Sequence, residues 1–237
     1  MSSSTSADGR PTRSGAAPDA SAFSPADAQT TGPKGPGRPK DLSKRAAILD
    51  TAKRLFVAHG FDGVSMDTIA TEAGVSKLTV YSHFGDKHTL FGEAIASKCC
   101  EQMPDALFDA PVEGDCRAHL QHIGRAFFSL ITSHEALAMH RMMQVPGTDV
   151  RLQELFWNAG PARVQGAFAH YLQDCVDRGQ LQVPDVYRAA TQFFALLKGE
   201  MHMLMMCGLC TAPEPDAVDV HIEATVALFL RAHEPRT

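Results

Sequence analysis

The stretch Ser65–Lys87, SMDTIATEAGVSKLTVYSHFGDK, decides the fold. Ser65 is a helix-capping residue, and Met66, Ile69, Ala70 and Ala73 after it follow the i, i+3, i+4, i+7 spacing of an amphipathic helix. Gly74 ends that helix. Ser76 caps a second one, in which Val80 and Phe84 lie four residues apart and share the buried face. At roughly 100 degrees per residue the outward side then carries Leu78, Thr79, Tyr81 and Ser82, flanked by Lys77 and His83. Thr and Leu side chains meet thymine methyls, Lys donates to guanine or phosphate, and Tyr and His donate to phosphate oxygens. Two short helices, a tight turn and an outward face of this chemistry predict a helix-turn-helix over residues 65–84. Gly85 closes the second helix and Asp86 caps the next, placing Lys87 at a helix N-terminus suited to a phosphate.

The residues Phe61-Asp-Gly-Val-Ser65, Ile69-Ala70, Ala73-Gly74-Val75-Ser76-Lys77, Thr79-Val80-Tyr81-Ser82-His83-Phe84 and Lys87 closely resemble the N-terminal domain of TetR/AcrR-type transcriptional repressors. The resemblance spans Leu42 to Gln102. It implies a double-stranded operator as partner, with contacts expected from Ser65, Thr68, Ser76, Lys77, Leu78, Thr79, Tyr81, Ser82, His83 and Lys87, and from Lys44 and Arg45, for which simple solvation fits as well as contact. The chain departs from the family pattern at Ser82, a position often basic or bulky, so Lys77 is the one full cation expected on the recognition helix. From Phe156 to Leu197, the segments Gly160-Pro161-Ala-Arg163, Tyr171-Leu172, Gly179-Gln-Leu181 and Ala189-Ala190-Thr-Gln-Phe193 are similar to the ligand domains of AefR-like repressors. That similarity implies a domain for a small-molecule effector.

Charge is distributed unevenly. The 237-residue chain has a net charge of −5. Pro33 to Lys98 holds ten Lys and Arg against seven Asp and Glu, net +3, whereas Cys99 to Thr237 holds ten against seventeen, net −7. This excludes a protein that coats nucleic acid wholesale and fits one that touches DNA with one end. No run of eighteen uncharged apolar residues occurs and the N-terminus lacks the apolar core of a secretory signal. Six cysteines without framework spacing fit a reducing compartment, so a cytoplasmic protein with no membrane partner is expected.

Taken in order, residues 1–41 read as a disordered Ser/Ala/Gly/Pro tail ending in a basic arm, where Lys34, Arg38 and Lys40 sit on a Pro/Gly frame. The arm suits a narrow minor groove and equally suits a solvated linker. Leu42 to His59 forms a helix with Ile48, Ala52, Leu55 and Phe56 on one face, and Gly60 ends it. Residues 42–102 are assigned to the DNA-reading domain and 103–237 to a larger effector-binding and dimerisation domain. Within the latter, 105–114 is loop-like, and helices are expected from Asp115, over Glu135–Gln144, over Thr148–Trp157, from Pro161 to Gly179 and from Asp185 to about Cys207. A last helix carries Val218, Ile222, Val226, Phe229 and Leu230. No alternating strand pattern occurs, so the expected fold class is all-α. The helix from Asp185 becomes apolar on most sides and needs cover on each; two such helices from each of two subunits make a four-helix dimer interface. The family resemblance implies the same contact through the last two helices.

Phe127, Met139, Met143, Trp157, Phe168 and Tyr171 have the aromatic and thioether chemistry of a lipophilic pocket; plain core is the commoner role of any one of them, while the domain as a whole is expected to hold a pocket. Cys207-Gly-Leu-Cys210, with His202 upstream, has redox or metal spacing and offers an alternative, a thiol- or metal-sensing C-terminal domain, but the further ligands a zinc site needs are not in view. His119 and His122, three apart, fit a polar helix face better than a metal pair. No Ser-His-acid elbow, phosphate loop or HExxH pair appears, so no enzyme, cofactor or metal is expected. The combined expectation is a ligand-responsive, homodimeric DNA-binding repressor released from a palindromic operator by a small lipophilic effector.

Overall fold

The computed structural model describes residues 41–109 and 115–235; the expected basic arm and nearly all of the N-terminal tail lie outside them. Regular structure among the described residues is helical throughout: α1 (Leu42–His59), α2 (Met66–Glu72), α3 (Lys77–Phe84), α4 (Lys87–Gln102), a 3-10 turn (Asp105–Phe108), α5 (Cys116–Thr132), α6 (His134–Met143), α7 (Val150–Ala159), α8 (Pro161–Asp177), α9 (Val186–Met206) and α10 (Pro215–His233). Among the described residues no helix is long and apolar enough to cross a membrane.

The boundaries follow from capping chemistry. The side chains of Ser65, Ser76, Asp86 and Asp115 each accept a backbone N–H from the first turn they open, those of Thr68, Thr79, Thr89 and Arg117. Each such cap contributes about 1 kcal/mol. Gly74 sits at φ 65°, a left-handed conformation that lets the chain turn sharply between α2 and α3.

Three short helices make one small core. Ile48, Ala52, Leu55 and Phe56 of α1, Ile69 and Ala70 of α2, and Val80 and Phe84 of α3 are all buried. The ring of Phe56 lies 5.8 Å from Phe61 and 5.3 Å from Phe91, tying α1 to α4. α4 packs on α1 along one side and on α5 and α7 along the other, so it belongs to both halves of the chain. Those halves fall within one compact unit. In the larger half α8 lies on α9, and α5 on α9 and α10. Phe168 stands at its centre, 5.8 Å from Tyr171, 4.9 Å from Phe193 and 5.0 Å from Phe194.

The helix expected to run unbroken from Asp185 to about Cys207 is instead kinked. Gly199 adopts φ 47°, ψ −159° in the middle of α9. His221 of α10 fills the break, its Nε2 donating to the Leu197 carbonyl at 2.9 Å. A Cβ at position 199 would stand 2.9 Å from the His221 ring. Gly199→Ala should therefore lower stability by about 1–3 kcal/mol, from left-handed strain and displacement of the imidazole. Urea denaturation checks this, and an unchanged midpoint would contradict it.

Candidate nucleic-acid interface and effector cavity

Val80 and Phe84 are buried, and this orientation turns the other face of α3 outward. Leu78 is 78% exposed and Tyr81 41% exposed, with Lys77 and Ser82 also open to solvent and Thr79 partly so. The cap hydroxyls are already engaged. Ser65 Oγ accepts from Thr68 N at 3.0 Å and Ser76 Oγ from Thr79 N at 3.1 Å, and each also pairs with the threonine hydroxyl at 2.8 Å. These two serines build the motif, and both threonine hydroxyls are engaged with them. Ser82 Oγ donates to the Thr79 carbonyl at 2.9 Å. His83 is half-buried beside Phe84, and its Nδ1 has no partner among the described residues.

The cations are less free than their sequence positions imply. Lys87, expected to meet phosphate, points inward: its Nζ donates to the carbonyls of Phe61 and Val64 at 2.9 and 3.0 Å and lies 4.1 Å from the Phe61 ring centre. The Phe61 carbonyl, which also accepts the Val64 N–H at 3.4 Å, and the Val64 carbonyl converge where the chain turns into α2 and hold the ammonium there. Arg45 is drawn across the core edge, pairing with Glu93 and lying 5.3 Å over the Phe84 ring. Lys44 is exposed near Asp41, and Lys77 pairs with the exposed Asp67 at 2.8 Å, an interaction weak enough for a phosphate to replace.

A cavity of about 800 Å³ lies among α1, α4, α5, α6, α7, α8 and α9. Its apolar wall includes Ile95, Phe127, Leu130, Ile131, Met139, Phe156, Val164 and Phe194. Of the six residues expected to line a pocket, Phe127 and Met139 do. Met143, Phe168 and Tyr171 are packed into the core instead, and Trp157 is 48% exposed. One residue of helical rotation separates Trp157 from Phe156, which faces the cavity, and on α8 the inward position is Val164, one turn before Phe168. Polar groups also reach the wall, among them His140 and Lys198. The His140 ring packs edge-on to Phe156 at 5.0 Å and stands 6.1 Å from buried His202. Burial lowers the pKa of His202 to about 4, helped by the neighbouring His140 and Lys198.

The remaining cysteine and histidine candidates sit elsewhere. Cys207 is exposed and Cys210 half-buried, both free thiols just beyond α9, and among the described residues no group of three or more His, Cys, Asp or Glu is gathered to hold a metal. His119 is not on a polar face: its Nε2 donates to the Leu107 carbonyl at 3.0 Å, anchoring the 3-10 turn, while His122 is exposed. Sequence reading missed a cluster in which Cys116 Sγ lies 3.7 Å from the Tyr171 hydroxyl. Hydrogen bonding from Cys175 and then Tyr171 brings the Cys116 thiol down to about 7 against the effect of burial. The four-residue spacing of Tyr171 and Cys175 on α8 was its one visible sign.

Two measurements check these placements. Lys87→Met should cost about 1–3 kcal/mol in chemical denaturation, since the carbonyls of Phe61 and Val64 lose a charged donor, whereas Lys77→Ala should stay within about 0.5 kcal/mol. Equal effects would contradict the inward position of Lys87. The depressed pKa of His202 means that the unfolded chain takes up a proton the folded one refuses. Its contribution to stability is complete above the ordinary value of 6.5 and is lost as pH falls from there toward 4. His202→Leu should flatten the stability profile in that window; an unchanged slope would count against it.

Comparison with known proteins bears on both regions. The model for bacterial regulatory proteins of the tetR family matches residues 48–94, and that for the AefR-like transcriptional repressor C-terminal domain matches residues 118–235. The flavonoid-responsive regulator FrrA is 30% identical, with 83% of this chain and 100% of that one covered and a TM-score of 0.66. A TetR family transcriptional regulator from Pseudomonas syringae pv. tomato strain DC3000 is 25% identical, covering 82% of this chain and 98% of that one with a TM-score of 0.61. YdeS of Bacillus subtilis strain 168, an uncharacterized HTH-type transcriptional regulator, is 28% identical over 148 residues, 62% of this chain and 71% of that protein. With a helix-turn-helix at one end and an AefR-like helical domain behind it, the chain belongs to the TetR family of transcriptional regulators.

Proposed function

We propose that the protein is a homodimeric repressor that grips a palindromic operator in the cytoplasm through α3 and leaves it when a small lipophilic effector fills the cavity. The observation that carries this reading is a shared wall. Val57 and Ala58 of α1, together with Ala94 and Ile95 of α4, line the same cavity as Met139 of α6 and Phe194 of α9. A molecule lodged there touches the scaffold of the DNA-reading helices directly.

On the reading face, Leu78, Thr79, Tyr81 and Ser82 enter the major groove, with Lys77 exchanging Asp67 for a phosphate. Thr68, Lys44 and the N-terminus of α2 at Ser65 lie toward the backbone, while Ser76, His83, Arg45 and Lys87 hold the frame. Dimerisation through α9 and α10 is supported by large apolar side chains left exposed on them: Leu196, Met203, Val220 and Leu228. A second copy covering these residues sets two reading helices about one turn of DNA apart.

Release follows from differential affinity. An effector that wedges α4 away from α6 and α7 favours a spread dimer, and only its preference for that form shifts the population. FrrA, which shares the fold and 30% identity, is described as flavonoid-responsive, which supports a lipophilic effector class here.

Tyr81→Ala and Lys77→Ala should each weaken binding to a defined operator by roughly ten-fold, the change expected on losing one base or phosphate contact, with the dimer intact. Electrophoretic mobility shift together with light scattering tests this. Undiminished affinity in both variants would overturn the assignment of α3.

A further inference from the structure

The cavity wall carries seven charged side chains from Asp, Glu, Lys and Arg, and six of them have a counter-ion. Lys53 pairs with Asp50 at 2.8 Å and with Glu101 at 2.6 Å, Lys98 with Glu135 at 3.4 Å, and Arg54 with Glu72 at 2.6 Å. These pairs belong to the rim formed by α1, α4 and α6. Lys198 is the exception: it projects from α9, one residue before the break at Gly199, and makes no ion pair or hydrogen bond among the described residues. Its chain neighbour Leu197 is buried, and Phe194 four residues back lines the same apolar wall. A lysine placed against apolar surface without an anion carries a desolvation cost that nothing in the folded chain offsets.

The groups beside it share the same deficit. His140 faces the cavity, and its Nδ1 donates to the Ala136 carbonyl at 3.1 Å, which leaves Nε2 as its only other polar atom. Near it, buried His202 has an Nε2 with no partner among the described residues. Burial depresses the protonation of Lys198, His140 and His202 alike, and the Lys198 charge further disfavours a proton on either histidine. All three would be relieved by one negative charge. No carboxylate of the described residues supplies it, because those on the wall are held at the rim.

We propose that the cavity takes an apolar molecule bearing one acidic oxygen group, a carboxylate or an ionised phenol, with the anion received by Lys198 beside the His140 ring. This rests on the reading of the cavity as the effector site and specifies its ligand. The apolar body lies along Phe127, Ile131, Met139 and Phe194, and the single charge is what distinguishes the ligand from other lipophiles of its size. Because α9 bends at the next residue, anion binding at Lys198 also ties the ligand to the kink.

The test uses matched pairs of probes on the full-length protein: dodecanoate against dodecan-1-ol, and 7-hydroxycoumarin against 7-methoxycoumarin, at a pH where both acids are ionised. Calorimetry should show at least one acid bound about ten-fold or more tightly than its neutral partner, the strength of a charge-assisted contact. A preference in the first pair alone identifies a carboxylate ligand, and in the second alone a phenol. Lys198→Met should bring each pair to near equality while leaving the neutral probe unchanged, and Lys198→Arg should restore the preference. The methionine variant removes an unpaired cation from an apolar wall, so its melting temperature should match or exceed the parent's. Equal binding of acid and neutral probes, or a preference that survives Lys198→Met, would overturn the proposal and leave the cavity reading standing. Failure of all four probes to bind would overturn both.

Discussion

The seating of α3 depends on two side chains, Val80 and Phe84, one helical turn apart and both enclosed by α1, α2 and α4. Burying a pair of this size contributes about 3–6 kcal/mol, far more than any exposed contact of the same helix, so the core decides which face is turned out. The outward residues are therefore presented, with no rearrangement needed to reveal them. Arg45 lies over the outer edge of the Phe84 ring and the caps at Ser65 and Ser76 fix both short helices at their first turns. A helix of eight residues would not persist alone in water; here tertiary packing supplies what length cannot.

The same economy extends to the link between the two halves. α4 buries Leu90 and Phe91 under the reading helices, and Ala94 and Ile95 of the same helix face the cavity. Met142 of α6 adds a second connection, its sulfur 3.2 Å from the Phe61 backbone nitrogen. Phe61 in turn abuts Phe56, Phe91 and Lys87. Phe56, Phe61 and Phe91 thus form one packed aromatic cluster that α1 and α4 share and that Met142 of α6 abuts.

Helix positions, caps and the orientation of α3 were legible in the sequence because each rests on local chemistry: a capping hydroxyl, a glycine, an apolar residue every three or four positions. The cavity was half legible. Phe127 and Met139 follow from amphipathic spacing, yet periodicity states only that a side chain points inward and not whether it meets atoms or empty space. Phe168 and Tyr171 are inward and fully packed for that reason. The engagement of Lys87 and Arg45 was not legible, because it depends on long-range partners, the carbonyls of Phe61 and Val64 and the carboxylate of Glu93. The kink at Gly199 required a residue of another helix, His221, to occupy it. Lys198 left no clear sign in the sequence, since Glu200 lies two residues on and only the packing of α9 against the cavity separates the two.

The account stands or falls on whether the free side of α3 reads base pairs. Selection of bound duplexes from a random DNA pool by the purified protein at moderate salt tests this most directly. Enrichment of an inverted repeat, with half-sites spaced for two copies of α3, is the predicted result. Recovery of no sequence above the starting pool would contradict it.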